Sequence, residues 1–355
     1  MKFRIFKQVP RLIFGKNSIN RIDELLPEKK ENDYYVYVID DYFQNKSHII
    51  NCLNFENNDH VVYFPATKKE PTTDQIDNYK QIILKKYSNK LPIAVIGIGG
   101  GSSMDVAKAI SVMLCNDGSS REYQGWDLPK NEGIYKVGIP TIAGSGSEAS
   151  RTAVLMGKDR KFGINSDYSM FNSIILDSNL IKSVPKDQRF YSGMDCYIHC
   201  VESLEGTMIN ELSKGLADKA LSLCTDVFTK NSNDDMLITA SYLGGVSIVN
   251  SEVGICHALS YGLSLELDYR HGYANCIVFN VLHDYYGEHV NLFKKMLLDH
   301  DISLPTNVCS SLNAAAIERM VDMTLLMDRP LTNALGKNWR EILTREKIRD
   351  LYLAM

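Results

Sequence analysis

The chain has 355 residues, of which 45% are apolar and 23% are charged, and its formal net charge at pH 7 is −4. This composition is typical of a soluble globular protein, and the length exceeds that of one ordinary domain, so we expect two domains. The small negative charge gives no support for nucleic acid or an anionic membrane as a partner.

The cysteines and the apolar runs favour a cytoplasmic protein. The first 18 residues contain charges that interrupt every apolar run, unlike a secretory signal peptide. No uncharged apolar window reaches the length of about 18 residues that a membrane span needs. Eight cysteines are dispersed without a CxxC pair, which indicates neither a zinc knuckle nor a disulfide framework.

Short apolar runs alternate with amphipathic segments in the first half of the chain. This alternation predicts a parallel sheet with helices on both faces. The predicted strands cover residues 34–39, 61–64, 93–98, 137–139 and 174–176, and the predicted helices between them cover 73–86 and 102–114.

The second half shows helical patterns and almost no strand pattern. We therefore predict an α/β domain over residues 1–178 and an all-helical domain over residues 179–355. The clearest helical patterns cover residues 189–205, 211–229, 236–250 and 288–300.

A glycine run, residues 97–102 (GIGGGS), follows the third predicted strand and opens a helix. Backbone N–H groups at such a helix start bind phosphate, and glycine lets the backbone approach the ligand closely. A plain tight turn is the alternative. The run differs from the GxGxxG motif of a first βα unit. A second small-residue loop, residues 141–148 (TIAGSGSE), follows the next strand, so two loops could hold one cofactor that carries a pyrophosphate.

Asp40 ends the first predicted strand. A carboxylate there can accept hydrogen bonds from an adenosine ribose and would repel a 2′-phosphate, which favours NAD over NADP. An exposed turn aspartate is the alternative interpretation.

Four further side chains have the chemistry of a metal site. Asp195 and His199 are four residues apart in a helical pattern and therefore lie on one face, and His257 and His271 follow in a glycine-rich segment. One carboxylate and three imidazoles suit a divalent ion such as Fe²⁺ or Zn²⁺. Any one of these histidines alone would equally suit a core or surface position.

Four segments together resemble the iron-containing, group III alcohol dehydrogenases. They are residues 97–110 (GIGGGSSMDVAKAI), 140–150 (PTIAGSGSEAS), 193–203 (GMDCYIHCVES) and 256–276, which begins CHALSYGL and ends RHGYANC. The resemblance implies a Rossmann-like parallel-sheet domain followed by a helical domain, the fold shared with dehydroquinate synthase. It also implies NAD(P), a divalent metal held by the four residues above, and a homodimer or larger assembly.

The resemblance further assigns individual residues. The implied cofactor-binding residues are Asp40, Gly99, Gly100, Gly101, Ser102, Asp105, Thr141, Ser145 and Lys161. Many family members carry an additional active-site histidine where this chain has Tyr261, so we predict that Tyr261 relays the alcohol proton, with packing as the alternative. The family's Asp-Pro pair after the last strand is Asp177-Ser178 here.

A narrower resemblance, to the 3-deoxy-manno-octulosonate (Kdo) 8-oxidase subgroup, rests on other segments. They are residues 122–128 (EYQGWDL), 147–155 (SEASRTAVL), 163–168 (GINSDY) and 190–207 (FYSGMDCYIHCVESLEGT). It implies oxidation of the C8 hydroxyl of Kdo to an aldehyde, which a PLP-dependent aminotransferase then converts to the 8-amino sugar of lipopolysaccharide. Molecular oxygen has been named as the electron acceptor in that subgroup, although the fold implies a nicotinamide.

A sugar-acid substrate needs a cation for its carboxylate, and arginine offers two parallel donors. We predict Arg151 for this role, with Arg270 as a second candidate, and a surface arginine paired to an acid as the alternative. The alternative function is an NAD(P)H-dependent reductase of a small or phosphonate aldehyde on the same fold. A lyase like dehydroquinate synthase would need further basic residues for a phosphate, and that pattern is not found here. A catalytically inactive binding protein would lack a metal ligand, and all four are present.

Overall fold

The structure, a computed structural model, describes residues 5–66, 70–230 and 233–355. The chain forms two compact units, which we call the sheet unit (Gln8–Ser183) and the helical unit (Val184–Met355 together with residues 5–7). The predicted domain boundary at residue 178 lies close to the division between the two units. Within the described ranges, no helix is both long enough and apolar enough to cross a lipid bilayer.

Among its described residues, the sheet unit contains nine strands in two sheets. Six strands form a parallel sheet in the order β1-β9-β6-β4-β2-β3, and three form a small sheet in the order β5-β8-β7, in which β7 and β8 are antiparallel. The strands are β1 (Arg11–Phe14), β2 (Tyr35–Asp40), β3 (His60–Phe64), β4 (Ala94–Gly99), β5 (Gly125–Trp126), β6 (Lys136–Pro140), β7 (Thr152–Met156), β8 (Lys161–Asn165) and β9 (Ser173–Leu176).

Helices pack on this sheet because its central strands are apolar on both faces. Every residue of β2 and β4 is buried, and α3 is buried from Ser103 to Met113. The core on one face includes Ile39, Ile98 and Ile139 from three adjacent strands. The helices of this unit are α1 (Ser47–Ile50), α2 (Thr73–Lys86) and α3 (Gly101–Met113), with 3-10 helices at Ser18–Glu24, Asp41–Phe43, Ser120–Tyr123, Asp167–Ser169 and Ser178–Ile181.

The helical unit contains no strand among its described residues. Its predicted helices correspond to α4, α5, α6 and α10, and the pair α7 and α8 lies in the segment that the sequence marked only as glycine-rich. The helices are α4 (Lys186–Leu204), α5 (Glu211–Thr229), α6 (Asp234–Asn250), α7 (Ile255–Leu267), α8 (His271–Asn280), α9 (His283–Tyr286), α10 (Glu288–Asp299), α11 (Ala314–Leu325), α12 (Asp328–Leu335), α13 (Trp339–Ile342) and α14 (Arg345–Leu353).

The topology of the main sheet places a switch point, where the strand order reverses, beside β2. The chain runs from β2 to β3 on one side and then returns to form β4 on the other side of β2. In open α/β sheets, ligands bind at the carboxyl ends of the strands where the order reverses in this way. Asp40 ends β2 and Gly99 ends β4, so both predicted cofactor residues lie at this switch point.

Candidate metal centre and cofactor loops

Three helices bring together the residues predicted to bind a metal. Asp195 and His199 are buried on one face of α4, His257 is buried in α7, and His271 is the first residue of α8. Asp268, in a left-handed conformation with φ of 54°, ends α7 and lets the chain turn into α8 three residues later. The turn between α7 and α8 therefore carries the fourth member to the other three, which we call the Asp–His cluster.

The spacing of the Asp–His cluster fits a single ion. The Oδ1 atom of Asp195 lies 3.6 Å from His199 Nε2, 3.4 Å from His257 Nε2 and 3.7 Å from His271 Nε2. One ligand atom from each of the four residues lies within 4.8 Å of the others. Ligand atoms that each lie about 2.1 Å from a common tetrahedral ion are about 3.4 Å apart. The donor set and the distances therefore fit a small divalent cation.

Glu202, which the sequence analysis did not identify, orients one of these imidazoles. Its Oε2 lies 2.5 Å from His257 Nδ1, and its Oε1 accepts hydrogen bonds from the Cys256 backbone N–H (2.6 Å) and the Tyr286 hydroxyl (3.1 Å). A carboxylate at Nδ1 places the imidazole proton there and leaves Nε2 with a free lone pair, as in known carboxylate–histidine–zinc arrangements. Glu202 lies three residues after His199, so helical spacing could have revealed it.

Asn275 is a second buried residue that sequence reasoning missed. Its Nδ2 donates to Asp195 Oδ1 at 2.7 Å and lies 3.1 Å from His257 Nε2 and 3.3 Å from His271 Nε2. The Asn275 amide N–H group therefore contacts the same oxygen and nitrogen atoms of the cluster that would bind a metal ion. Asn275 follows His271 by one helical turn, and this spacing is the only sequence signal for it.

Burial and charge act in opposite directions on the ionisable groups of the cluster. Burial would raise the pKa of Asp195, but the nearby histidines, His199 first, hold it well below its usual range. Burial lowers the pKa of His199. Burial also lowers the pKa of His257, but Glu202 and Asp195 together raise it to about 9. The environment of His257 thus favours its protonated form, and a cation that binds at Nε2 must displace the second proton of that imidazolium while the Nδ1 proton stays with Glu202.

Tyr261 lies one turn after His257 in α7, and its ring centroid is 5.8 Å from that of His271. The ring of His199 stacks on that of His257 at 4.6 Å, while its buried Nδ1 has no hydrogen-bond partner among the described residues. The predicted proton relay thus borders the cluster, and His199 is oriented by stacking rather than by a hydrogen bond at Nδ1.

The predicted cofactor loops meet at the carboxyl edge of the main sheet. The Thr141 N–H donates to Gly99 O at 2.9 Å. Gly99 has φ of +155°, and a Cβ there would meet Ser103 at 2.6 Å and Asp40 at 3.0 Å. A side chain at this position would therefore be strained, would clash with Ser103 and would crowd Asp40. Gly100 caps α3, Gly101 and Ser102 begin it, and a Cβ on Gly101 would lie 3.0 Å from Ser145 Oγ.

Two of the predicted cofactor-binding residues, Asp105 and Lys161, already have partners within the sheet unit. Asp105 accepts hydrogen bonds from Ser147 Oγ (2.6 Å) and the Val154 backbone N–H (3.0 Å) and pairs with Lys108. The buried ammonium of Lys161 lies 3.4 Å from Glu70 Oε1.

Arg151 is paired with acidic residues, as its alternative interpretation expects, but it is buried rather than at the surface. Its guanidinium contacts Asp127, forms an ion pair with Asp167 at 2.8 Å and lies over the Trp126 ring. Two carboxylates thus offset its charge, although the predicted role in substrate binding stays a prediction.

Comparison with known proteins identifies the family models that this chain matches. Residues 10–178 match the iron-containing alcohol dehydrogenase model, and residues 189–351 match the model for the C-terminal part of the same family. Together they cover nearly all of the chain.

Among curated relatives, the long-chain-alcohol dehydrogenase 1 of Geobacillus thermodenitrificans is 33% identical over 194 residues, which is 52% of this chain and 49% of that protein. The sulfoacetaldehyde reductase of Bilophila wadsworthia is 32% identical over 202 residues, 54% of this chain and 52% of that protein. The matches thus span about half the length of these curated relatives.

The fold is also found in solved structures. The sulfoacetaldehyde reductase of Bifidobacterium kashiwanohense, solved in complex with NAD⁺, has a TM-score of 0.77 at 19% identity and covers 99% of this chain and 98% of its own. The predicted fold, a parallel-sheet unit followed by a helical unit, is confirmed by the structure and by this likeness.

Proposed function

Because this chain belongs to the iron-containing alcohol dehydrogenase family, we propose that it interconverts an alcohol and an aldehyde with a divalent metal and NAD(P). That family uses a divalent metal and a nicotinamide cofactor. The observation that carries the proposal is the Asp–His cluster, whose four donor atoms lie within 4.8 Å of one another.

Asp195, His199, His257 and His271 would hold the metal. When bound, the metal would act as a Lewis acid that acidifies the alcohol, and NAD(P) would accept the hydride. Asp195 offsets part of the positive charge, and Glu202 keeps His257 in the tautomer that binds.

Tyr261, beside His271, is the residue that we assign to proton relay. A Tyr261→Phe variant that retained its kcat would contradict this role.

The cofactor would bind at the switch point of the main sheet. The glycine run from Gly99 to Gly101, at the start of α3, would offer backbone donors to a pyrophosphate, and the loop at Thr141 and Ser145 would border it. Asp40, which is close enough to Gly99 to touch any Cβ there, would accept hydrogen bonds from the ribose and favour NAD.

For the substrate, we propose the C8 hydroxyl of Kdo, which would be oxidised to the aldehyde in the route to the 8-amino sugar. The support for this finer assignment is the resemblance of four sequence segments to the Kdo 8-oxidase subgroup. A second candidate is a reductase of a small anionic aldehyde such as a phosphonate aldehyde. It is favoured by the 32% identity to a sulfoacetaldehyde reductase.

A substrate panel separates the two. The enzyme, loaded with Fe²⁺ or with Zn²⁺, is assayed with Kdo and NAD⁺, with Kdo and oxygen alone, and with sulfoacetaldehyde or phosphonoacetaldehyde and NADH or NADPH. We expect NAD⁺-dependent oxidation of Kdo with a higher kcat/KM than for a short neutral alcohol such as 1-propanol. Turnover of the small aldehydes without turnover of Kdo would show that the second candidate is correct. A His257→Ala variant, lacking one predicted metal ligand, serves as the inactive control.

A further inference from the structure

A pocket of about 280 Å³ lies in the helical unit beside the Asp–His cluster. It is lined by Gln188, Tyr191, Asp268, Tyr269, Arg270 and Tyr273. We call it the Arg270 pocket. Its volume is close to the lower end of the range of small-molecule sites.

Two helices connect this pocket to the cluster. Tyr191 lies one helical turn before Asp195 on α4 and therefore projects from the same face. Arg270 immediately precedes His271, at the start of α8. A Cβ on Gly272 would lie only 2.8 Å from Tyr191 O, so α4 and α8 are in close contact where the pocket borders the cluster.

Arg270 differs from Arg151 in its surroundings. It is exposed, and its guanidinium has no ion pair or hydrogen bond with any residue in the described part of the chain. Asp268 also lines the pocket without forming an ion pair with Arg270, as far as the described residues show. The pocket therefore offers an unpaired bidentate cation together with a separate carboxylate acceptor.

The other residues that line the pocket are three tyrosines and one glutamine. The rings of Tyr191 and Tyr273 meet edge to face at 5.0 Å, and those of Tyr269 and Tyr273 at 5.2 Å. The hydroxyls of Tyr191 and Tyr273 can each donate and accept a hydrogen bond. Gln188 adds an amide that can both donate and accept. Such a combination matches a ligand with one anionic group and several hydroxyls.

We propose that the Arg270 pocket binds the acidic end of a polyhydroxylated acid substrate, with Arg270 pairing to the carboxylate and Asp268 and Gln188 to hydroxyls. The reacting alcohol of the same molecule would extend from the pocket toward His271. This inference rests on the proposed function for its reaction, and it transfers the predicted carboxylate-binding role from Arg151 to Arg270.

The test compares wild type with Arg270→Gln, Arg270→Lys and the control Arg340→Gln in the zinc-loaded enzyme. Arg340 is an exposed arginine of the same unit that pairs with Asp328. Binding of Kdo is measured by calorimetry without cofactor, and kcat/KM is measured for Kdo and for its uncharged methyl ester. Metal content and circular dichroism of each variant show whether the cluster and the fold are intact.

We expect Arg270→Gln to weaken Kdo binding about 10- to 100-fold, because the substitution removes a hydrogen-bonded charge pair. The ratio of kcat/KM for Kdo to that for its methyl ester should fall by a similar factor. The Kdo affinity of Arg270→Lys should lie between those of wild type and Arg270→Gln, because lysine keeps the charge but not the paired donors. Arg340→Gln should match wild type.

Three other results have separate meanings. If Arg270→Gln binds and oxidises Kdo as wild type does, the pocket assignment is wrong while the proposed function stands. If wild type binds Kdo without oxidising it and Arg270→Gln loses that binding, the pocket assignment stands and the proposed function is wrong. If wild type neither binds nor oxidises Kdo, both are wrong.

Discussion

Glu202 lies outside the Asp–His cluster but directly contacts one of its imidazoles, that of His257. It is buried, and it spans His257 Nδ1, the Cys256 backbone N–H and the Tyr286 hydroxyl. A Glu202→Gln substitution keeps the shape but removes the charge that makes the imidazole basic. We expect the affinity for Zn²⁺ to fall about 10- to 100-fold, the usual effect of losing such an outer contact. Competition with a chromophoric chelator measures this affinity without any assay of turnover.

The matched control for Glu202→Gln is Glu205→Gln. Glu205 lies at the end of the same helix, is about half exposed, and lies 3.6 Å from His289, away from the cluster. It should leave the zinc affinity unchanged. Equal affinity in wild type and Glu202→Gln, with the fold intact, would mean that the 2.5 Å contact contributes nothing to metal binding.

Sequence reasoning could predict the Asp–His cluster but not its surroundings, for a physical reason. Asp195 and His199 are four residues apart in a helical pattern, which predicts that they share a face, and the family motifs identify His257 and His271. Asn275 meets Asp195 only because α8 crosses α4, and that crossing is decided by packing rather than by a local pattern. The pairing of Arg151 with Asp127 and Asp167 is equally non-local.

At the scale of elements, the buried ammonium of Lys108 joins α3 to the second cofactor loop and to β7. It donates to Ser147 Oγ (2.8 Å), Ser150 Oγ (2.9 Å) and Thr152 O (2.7 Å), and it pairs with Asp105 at 3.3 Å. Burial lowers the pKa of Lys108 and raises that of Asp105, so each charge depends on the other.

A Lys108→Met substitution should therefore reduce the free energy of unfolding by about 3–5 kcal/mol, because the Asp105 carboxylate stays buried without its cation. Urea denaturation of the purified protein measures this change. The double variant Asp105→Leu/Lys108→Met should recover part of the loss, since an apolar pair leaves no unpaired charge. If the single and double variants lose equal stability, the ion pair is not the cause.

The secondary-structure elements differ in how well the sequence predicts them. β2 and β4 are fully buried, and apart from Asp40 they consist of apolar residues, tyrosine and glycine, so their positions were predicted to within one residue. β7 is half-buried in alternation and β1 is largely exposed, so neither has the continuous apolar run of a central strand. α7 and α8 contain glycines that lower helix propensity, but close packing against α4 and α11 stabilises them.

At the scale of the whole molecule, the residues predicted to bind the metal and those predicted to bind the cofactor are divided between the units. All four members of the Asp–His cluster belong to the helical unit, and every predicted cofactor residue from Asp40 to Lys161 belongs to the sheet unit. The predicted cofactor residues lie within residues 10–178, which match the first family model, and the Asp–His cluster lies within residues 189–351, which match the second. Metal binding and cofactor binding should therefore be separable by experiment.

Removal of the metal with a chelator tests this separation. We expect turnover to be lost and the melting temperature to fall, because an ion present at 100 times its Kd stabilises a folded protein by about 2.7 kcal/mol. The Kd for NADH, measured by its fluorescence, should change by less than about tenfold, which corresponds to 1.4 kcal/mol. Turnover should return when Zn²⁺ or Fe²⁺ is added back. A variant without the cluster carboxylate, Asp195→Ala, should show the same NADH affinity with or without chelator. Loss of NADH binding on chelation of the wild type alone would mean that the metal contributes to the cofactor site and that the two tasks are coupled.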